Sequence, residues 1–220
     1  SEHEEIFDVN RMVDSDRFVD IAVNHFNMDQ TLQIYYPMEW ESQTTICELM
    51  QVSPGTKEFS GIQSRLGSLE VLSIKRIQNQ HLWRRYYFER SFVEQKNGGH
   101  ANEMELFHGT SSTDPVEIYH GEEGFDMRYS KKGRWGMGIY FASRVSYTQK
   151  FAYKDVNQPG TAQLILSRVA IGSAYACFEG DISLRTPPSK KENCPQSHIQ
   201  FATDFYDSVV GLIGSTKIHT

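Results

Sequence analysis

Residues 102–110 read Asn-Glu-Met-Glu-Leu-Phe-His-Gly-Thr, and this stretch decides how the rest of the chain is interpreted. Met104, Leu106 and Phe107 predict a β-strand that runs directly into His108-Gly109-Thr110. A glycine at a strand end lets a ligand approach the backbone, whose N–H and C=O groups are then free to bind it. Taken alone, the tripeptide is more typical of a strand-end turn with an incidental histidine.

A second informative stretch is residues 138–142, Gly-Ile-Tyr-Phe-Ala, whose aromatic and β-branched content predicts a buried strand. Its Tyr140 has a flat apolar face and one polar tip, which suits a partly open pocket. Ser143 is predicted to cap a helix whose inward face carries Val145, Thr148, Phe151 and Ala152. Tyr153 follows that helix, so a hydroxyl and a second aromatic ring could face the same pocket.

The flanking sequence alternates strands with short, irregular helices. Helices are predicted to start at Ser53-Pro54 and at Asn79, the latter ending at Asn97-Gly98-Gly99. Residues 164–171 predict an apolar strand, and Ile218 begins a strand that the chain does not complete. This order predicts an α+β fold with mainly antiparallel sheets. Residues 18–26 have apolar side chains at helical spacing.

Composition narrows the class of protein. The 220 residues carry a formal net charge of −6, which argues against a general nucleic-acid or membrane surface. The cysteines are odd in number and far apart, which favours a reducing compartment without disulfides. No cysteine or histidine pair has metal-ligand spacing, and no apolar run has the roughly 18 residues of a membrane helix. We expect an intracellular protein, cytoplasmic or nuclear, without a metal or a membrane segment.

Several motifs occur together and in order. Residues 102–110 are followed by Gly124-Phe125-Asp126, residues 136–142, Pro187-Pro188 and Tyr206-Asp207-Ser208. This series resembles the catalytic domain of the poly(ADP-ribose) polymerase family, the diphtheria-toxin-like ADP-ribosyltransferases. Residues 74–83 are similar to the mono-ADP-ribosylating branch, especially its members with CCCH zinc fingers and WWE domains. The resemblance covers roughly residues 45 to 220.

The resemblance implies an ADP-ribosyltransferase fold with a mainly antiparallel two-sheet core and short flanking helices. Residues 46–220 would form the catalytic domain, with its last strand or strands missing. Residues 1–45 would be an N-terminal extension, either the tail of a preceding WWE-like domain or a packing extension. The expected ligand is NAD+, used as a co-substrate to modify protein acceptors, including the chain itself, by a monomer.

The resemblance also implies roles for individual residues. His108 and Tyr140 would be catalytic, with His108 bonding the 2′-hydroxyl of the nicotinamide ribose. Gly109 would bind the carboxamide through its backbone, and a side chain there would occupy the nicotinamide site. Tyr140 and Tyr153 would sandwich the nicotinamide ring, with Phe151 as the competing candidate for the second face. The other expected NAD+-binding residues are Thr110 at the adenine ribose, Ala142, Thr148 at the carboxamide, and Arg128 at a phosphate.

A third motif position remains open at this point. The resemblance places it on a strand after residues 217–220, where glutamate goes with chain elongation and other residues with single transfer or inactivity. The upstream likeness and the absence of a helical regulatory domain favour transfer of single ADP-ribose units. The alternative is a catalytically inactive interaction module that keeps the fold.

Overall fold

The computed structural model describes residues 34–190 and 205–220. The chain divides into two compact units, Ser1–Met38 and Glu39–Thr220. All elements described below belong to the second unit. The predicted helical segment at residues 18–26 and most of the predicted N-terminal extension lie outside the described residues.

The described residues form short strands and a few helices. The strands are β1 (Cys47–Gln51), β2 (Lys75–Asn79), β3 (Glu103–His108), β4 (Lys132–Gly133), β5 (Gly136–Met137), β6 (Phe141–Ala142), β7 (Ile165–Ala170), β8 (Ala174–Ala176), β9 (Ser208–Ile213) and β10 (Thr216–His219). The helices are α1 (Lys57–Leu66), α2 (Gln80–Lys96), α3 (Pro115–Tyr119) and α4 (Val145–Thr148), with 3₁₀ turns at Met127–Tyr129 and Gln149–Phe151. None of these helices is long and apolar enough to cross a membrane.

One six-stranded sheet organises the unit, in the order β7-β3-β6-β10-β9-β8. Its neighbours are antiparallel, except that β8 pairs in parallel with β9. The pairs β1–β2 and β4–β5 form separate two-stranded ribbons. The predicted α+β class with mainly antiparallel pairing is confirmed.

The two faces of the central strands differ. Phe107, Ala142 and Ile218 lie side by side across β3, β6 and β10 and share one face. On this face, Ala142 and Ile218 pack against Trp135. Because side chains alternate along a strand, the next residues face the other side of the sheet. That second face carries His108 and Phe141, and His219 lies directly across from Phe141.

The helix ends follow local capping chemistry. The side chain of Asn79 accepts a hydrogen bond from the Leu82 N–H at 3.0 Å, as expected for the start of α2. The predicted Ser53 cap of α1 is wrong, because Thr56 caps this helix by accepting from the Phe59 N–H. The Ser53 carbonyl instead accepts from the Thr56 N–H in the turn that precedes the helix.

The region after β6 also differs from the prediction. The Ser143 side chain accepts from the Lys217 N–H at 3.1 Å, and the Ser143 N–H donates to the Lys217 carbonyl. Ser143 therefore extends the pairing of β6 with β10, and α4 starts after Arg144 without a side-chain cap. The strand predicted at residues 138–142 is shortened to Phe141–Ala142. Phe151 is 39% exposed, so its predicted inward position is wrong as well.

The strand predicted to begin at Ile218 is β10, which begins two residues earlier, at Thr216. The expectation of a further strand after it stays a prediction. β10 spans Thr216–His219 and lies inside the sheet, between β6 and β9. Gly214 has a φ of 58° in the tight turn that joins β9 to β10, a conformation that glycine adopts without strain.

Candidate active site

His108 ends β3 and lies in a partly buried aromatic setting. Its ring centroid is 5.0 Å from that of Phe125 and 5.3 Å from that of Phe141. Its Nδ1 is 2.8 Å from the carbonyl oxygen of Tyr140. Burial lowers the pKa of His108, so the ring is neutral at pH 7. Because a carbonyl only accepts, Nδ1 carries the proton and Nε2 keeps a lone pair that accepts from a hydroxyl.

Gly109 is required by packing. A Cβ built on this residue would lie 2.5 Å from the carbonyl oxygen of Phe151. The same carbonyl accepts a hydrogen bond from the Ser111 N–H at 2.7 Å, which holds the Gln149–Phe151 turn against the end of β3. A side chain at Gly109 would therefore strike protein backbone. The expectation that a side chain here would also fill the nicotinamide site stays a prediction.

Tyr140 is fixed at both ends. Its carbonyl accepts from His108, while its hydroxyl accepts from the Trp135 N–H at 3.0 Å and donates to the Gly136 carbonyl at 2.8 Å. Burial raises the pKa of Tyr140. Gly133 lies under the ring, where a Cβ would be 2.6 Å from Cζ. With its proton engaged and its pKa raised, this hydroxyl is suited to positioning and unsuited to proton transfer.

The residues predicted to bind the nicotinamide differ in whether they are buried or already hydrogen-bonded within the protein. Ala142 and Thr148 are buried, and the Thr148 hydroxyl donates at 3.3 Å to the carbonyl of Arg144, the residue before its helix. Tyr153 is half-buried, and its hydroxyl lies 3.5 Å from a carboxylate oxygen of Asp114. The Phe151 ring is 5.5 Å from the ring of Tyr147. The geometry leaves Tyr153 and Phe151 both in place as candidates for the second face.

Two predicted contacts are engaged with protein groups. The Thr110 hydroxyl donates to the Thr113 carbonyl at 2.5 Å. Arg128 is 77% exposed and its Nε donates to Asp126 at 2.6 Å, a bond that holds the pKa of Asp126 below its ordinary value. The structure does not bring Arg128 into contact with His108 or Tyr140. A phosphate contact by Arg128 stays a prediction and would have to displace Asp126.

Sequence reasoning missed three residues that shape the site. Phe125 and Phe141 form an aromatic wall with ring centroids 5.1 Å apart, and both contact His108. His219 is 5% exposed, and within the described part of the chain neither of its ring nitrogens has a hydrogen-bond partner. The aromatic content of both motifs was visible in the sequence. The placement of His219 beside Phe141 was not, since it depends on pairing between strands distant in sequence.

The strand beside the tyrosine motif is β10, which carries Thr216, Lys217, Ile218 and His219. It therefore brings no carboxylate to this place in the sheet. Lys217 is exposed, and its backbone bonds to Ser143. Within residues 34–190 and 205–220, no group of three or more histidine, cysteine or acidic side chains could hold a metal ion.

A neutral histidine at a strand end, a tightly packed glycine and tyrosines on the adjoining segments are the arrangement that the resemblance to the ADP-ribosyltransferases implies. Residues 56–208 match the family model of the poly(ADP-ribose) polymerase catalytic domain. The chain belongs to this family.

Named relatives agree with this assignment. The chain is 30% identical over 169 residues to a probable poly(ADP-ribose) polymerase of Dictyostelium discoideum, covering 71% of this chain and 47% of the relative. It is 30% identical over 181 residues to the human protein mono-ADP-ribosyltransferase PARP14, covering 79% of this chain and 9% of that protein. For human PARP12, also named a protein mono-ADP-ribosyltransferase, the values are 30% over 151 residues, 67% and 19%. The chain thus spans about half of the first relative and less of the others.

Proposed function

We propose that this domain transfers single ADP-ribose units from NAD+ to protein side chains and releases nicotinamide. The observation that carries the proposal is the state of His108, whose Nδ1–H is fixed on the Tyr140 carbonyl while Nε2 remains an acceptor. This nitrogen can hold a ribose hydroxyl without competing with a proton. Two of the similar proteins are named mono-ADP-ribosyltransferases, which supports single transfer.

The chemistry requires little proton transfer from the protein. The bond between the ribose C1′ and nicotinamide breaks with its electron pair leaving on nicotinamide, which departs neutral, as charge builds on the sugar. The acceptor oxygen or nitrogen then bonds to C1′ and loses a proton. No acid is needed for the leaving group. This agrees with a Tyr140 hydroxyl that is committed to the β4–β5 ribbon.

Positioning is therefore the main task of the residues in the site. Nε2 of His108 would hold the 2′-hydroxyl of the ribose, and the backbone of Gly109 would bind the carboxamide. The aromatic ring of Tyr140, with Tyr153 or Phe151, would hold the nicotinamide ring. Interactions that tighten only as the bond opens raise the rate, while stacking mostly contributes ground-state binding.

A second candidate function is an inactive interaction module that retains the fold. One observation favours it: the side-chain groups of Thr110, Thr148 and Arg128 are all engaged with protein atoms. NAD+ would have to displace those bonds to use these side chains. The accessible lone pair of His108 and the backbone of Gly109 favour the enzyme.

The proposal extends to the setting of the domain. We propose that residues 46–220 act as a monomeric catalytic domain, in the cytoplasm or nucleus, with NAD+ and protein acceptors as partners. The two-sheet core expected for the ADP-ribosyltransferase fold remains a prediction, as does the likeness to members with CCCH zinc fingers and WWE domains. The absence of a metal requirement is also proposed.

Intact-protein mass spectrometry after incubation with NAD+ tests the activity directly. We expect discrete additions of one ADP-ribose mass, together with free nicotinamide. A long ladder of additions on one site would contradict single transfer. Neither mass addition nor stabilisation by NAD+ in a thermal melt would favour the interaction module.

A further inference from the structure

A cleft of about 450 Å³ opens between the end of α1 and the start of α4, and neither His108 nor Tyr140 lines it. Nothing in the proposed transfer of ADP-ribose uses it. Its polar lining is formed by Ser64, Arg65, Ser68, Ser143, Arg144, Ser146 and Gln149. None of the residues that line this cleft is aspartate or glutamate, although the chain has 28 acidic and 22 basic residues.

Arg65 is held in one orientation. Its guanidinium donates to the side chain of Glu105 at 2.7 Å and to the Glu105 carbonyl at 2.5 Å, and it lies 5.1 Å from the ring centroid of Phe107. These bonds use two of the five N–H donors of the guanidinium. The remaining donors are already ordered, which reduces the entropy lost when an anion binds. Glu105 offsets part of the positive charge of Arg65.

Arg144 contributes a positive charge that no described acidic group neutralises. Its side chain is exposed, and no ion pair or side-chain hydrogen bond involves it within the described ranges. The neighbouring Ser146 hydroxyl is exposed, and the Ser143 hydroxyl accepts from Lys217, so its own proton is available to donate. The cleft thus offers one ordered guanidinium, one unpaired guanidinium and hydroxyl donors.

We propose that this cleft binds a phosphate monoester carried by a protein segment. A phosphate monoester has a charge of about −1.5 to −2 and three acceptor oxygens, which matches two guanidinium groups with hydroxyl donors. A nucleic-acid backbone fits less well. It requires several cations along its path, whereas this chain has a net charge of −6 and a single unpaired arginine here.

The position of the cleft suits it to holding an acceptor protein near the transfer site. Ser143 directly follows β6 and lies three positions after Tyr140 along extended chain, a backbone distance of about 10 Å. A phosphorylated acceptor held in the cleft would have its neighbouring side chains near the transfer site. This use rests on the proposed transferase function, whereas phosphate binding itself does not.

Calorimetric titration of the whole chain without NAD+ tests the binding. The probes are a short peptide with one phosphoserine, its unphosphorylated twin, inorganic phosphate and a single-stranded oligonucleotide. Arg144→Ala removes an exposed charge without breaking a described bond. A second cleft of about 420 Å³, lined by residues 154–156 and 159–162, provides the matched control Lys154→Ala.

We expect the phosphopeptide to bind and its unphosphorylated twin not to bind. Arg144→Ala should weaken binding about tenfold or more, and Lys154→Ala by less than about twofold. Binding should be tighter at pH 7.5 than at pH 5.5, because the second pKa of phosphate is about 6. Equal affinity of Arg144→Ala and wild type would overturn the site. Preference for the oligonucleotide, or equal affinity for inorganic phosphate, would overturn the choice of a protein segment.

A transfer assay then separates this proposal from the proposed function. If the chain binds the phosphopeptide but adds no ADP-ribose to itself, phosphate binding by the cleft is supported and the proposed transferase function is contradicted. If self-modification proceeds but the phosphopeptide does not bind, the proposed transferase function is supported and phosphate binding by the cleft is contradicted.

Discussion

The two faces of the central strands use the same backbone for different purposes. On one face, Phe107, Ala142 and Ile218 are almost fully buried, and Ala142 and Ile218 pack with Trp135 into an apolar core. On the other face, His108 and His219 flank Phe141. Two titratable rings thus lie where apolar side chains would stabilise the folded state more. A face kept polar and partly open at the expense of stability is typical of a functional site. The comparison predicts that the apolar face controls folding and the histidine face controls chemistry.

The largest effect is expected from Ile218→Ala on the apolar face. Ile218 is 1% exposed in the middle of the sheet, so truncation leaves a cavity and should cost about 2–5 kcal/mol of unfolding free energy. Chemical denaturation measures this change. Leu212→Ala, at an exposed position on the neighbouring β9, serves as the control and should cost far less. Similar losses for both variants would mean that the apolar face is not the core.

The next effect is on activity, through His108→Ala. Loss of the ribose-positioning nitrogen should lower kcat/KM for ADP-ribose transfer by about 100-fold or more while the thermal midpoint changes little. His100→Ala, an exposed histidine before β3, is the matched control and should keep full activity. Unchanged turnover in His108→Ala would remove this residue from the proposed site.

Tyr140 bonds to His108 on one face through its carbonyl and to Trp135 and Gly136 through its hydroxyl, and Tyr140→Phe tests the second connection. It removes the hydroxyl that joins Trp135 and Gly136, leaving two backbone groups without their partner, and should cost about 1–3 kcal/mol of stability. Because the ring remains, we expect stacking, and thus the KM for NAD+, to change little. Tyr129→Phe, at an exposed position, is the control for removing a hydroxyl. A rate loss in Tyr140→Phe without a stability loss would indicate that the hydroxyl acts in proton transfer.

The smallest effect is the pH dependence of stability. Burial lowers the folded-state pKa of both His108 and His219. As the pH falls, the unfolded chain therefore binds protons first. The contribution of each histidine is complete above its unfolded pKa near 6.5 and decreases below it, until the folded pKa is reached.

His219→Val should reduce this acid-side slope by at most about 1.4 kcal/mol per pH unit and should not destabilise the chain at pH 7.5. It removes ring nitrogens that have no partner among the described residues, so a neutral or small stabilising change is expected at that pH. Urea unfolding between pH 5 and 8 provides the measurement. An unaltered slope in the variant would place the acid sensitivity elsewhere.

Local patterns accounted for a large part of the fold. Asn79 was identified as the cap of α2 because capping depends on residues three or four positions away. The strand predicted at residues 164–171 forms as β7 because its apolar content is typical of buried strands. The predicted cap at Ser53 failed for a local reason, whereas the one at Ser143 failed because the group found a partner far along the chain. Ser143 resembles a helix cap in sequence, yet it pairs with Lys217, 74 positions away.

The sequence by itself determined the family, the order of the elements and the positions of His108, Gly109 and Tyr140. These follow from ordered motifs and short-range periodicity. Only the tertiary structure decided that Gly109 makes room for the Phe151 backbone, that the Tyr140 hydroxyl is committed to the β4–β5 ribbon, and that His219 faces Phe141. The physical reason is that strand pairing and side-chain hydrogen bonds depend on distances between residues remote in sequence, which no local pattern specifies.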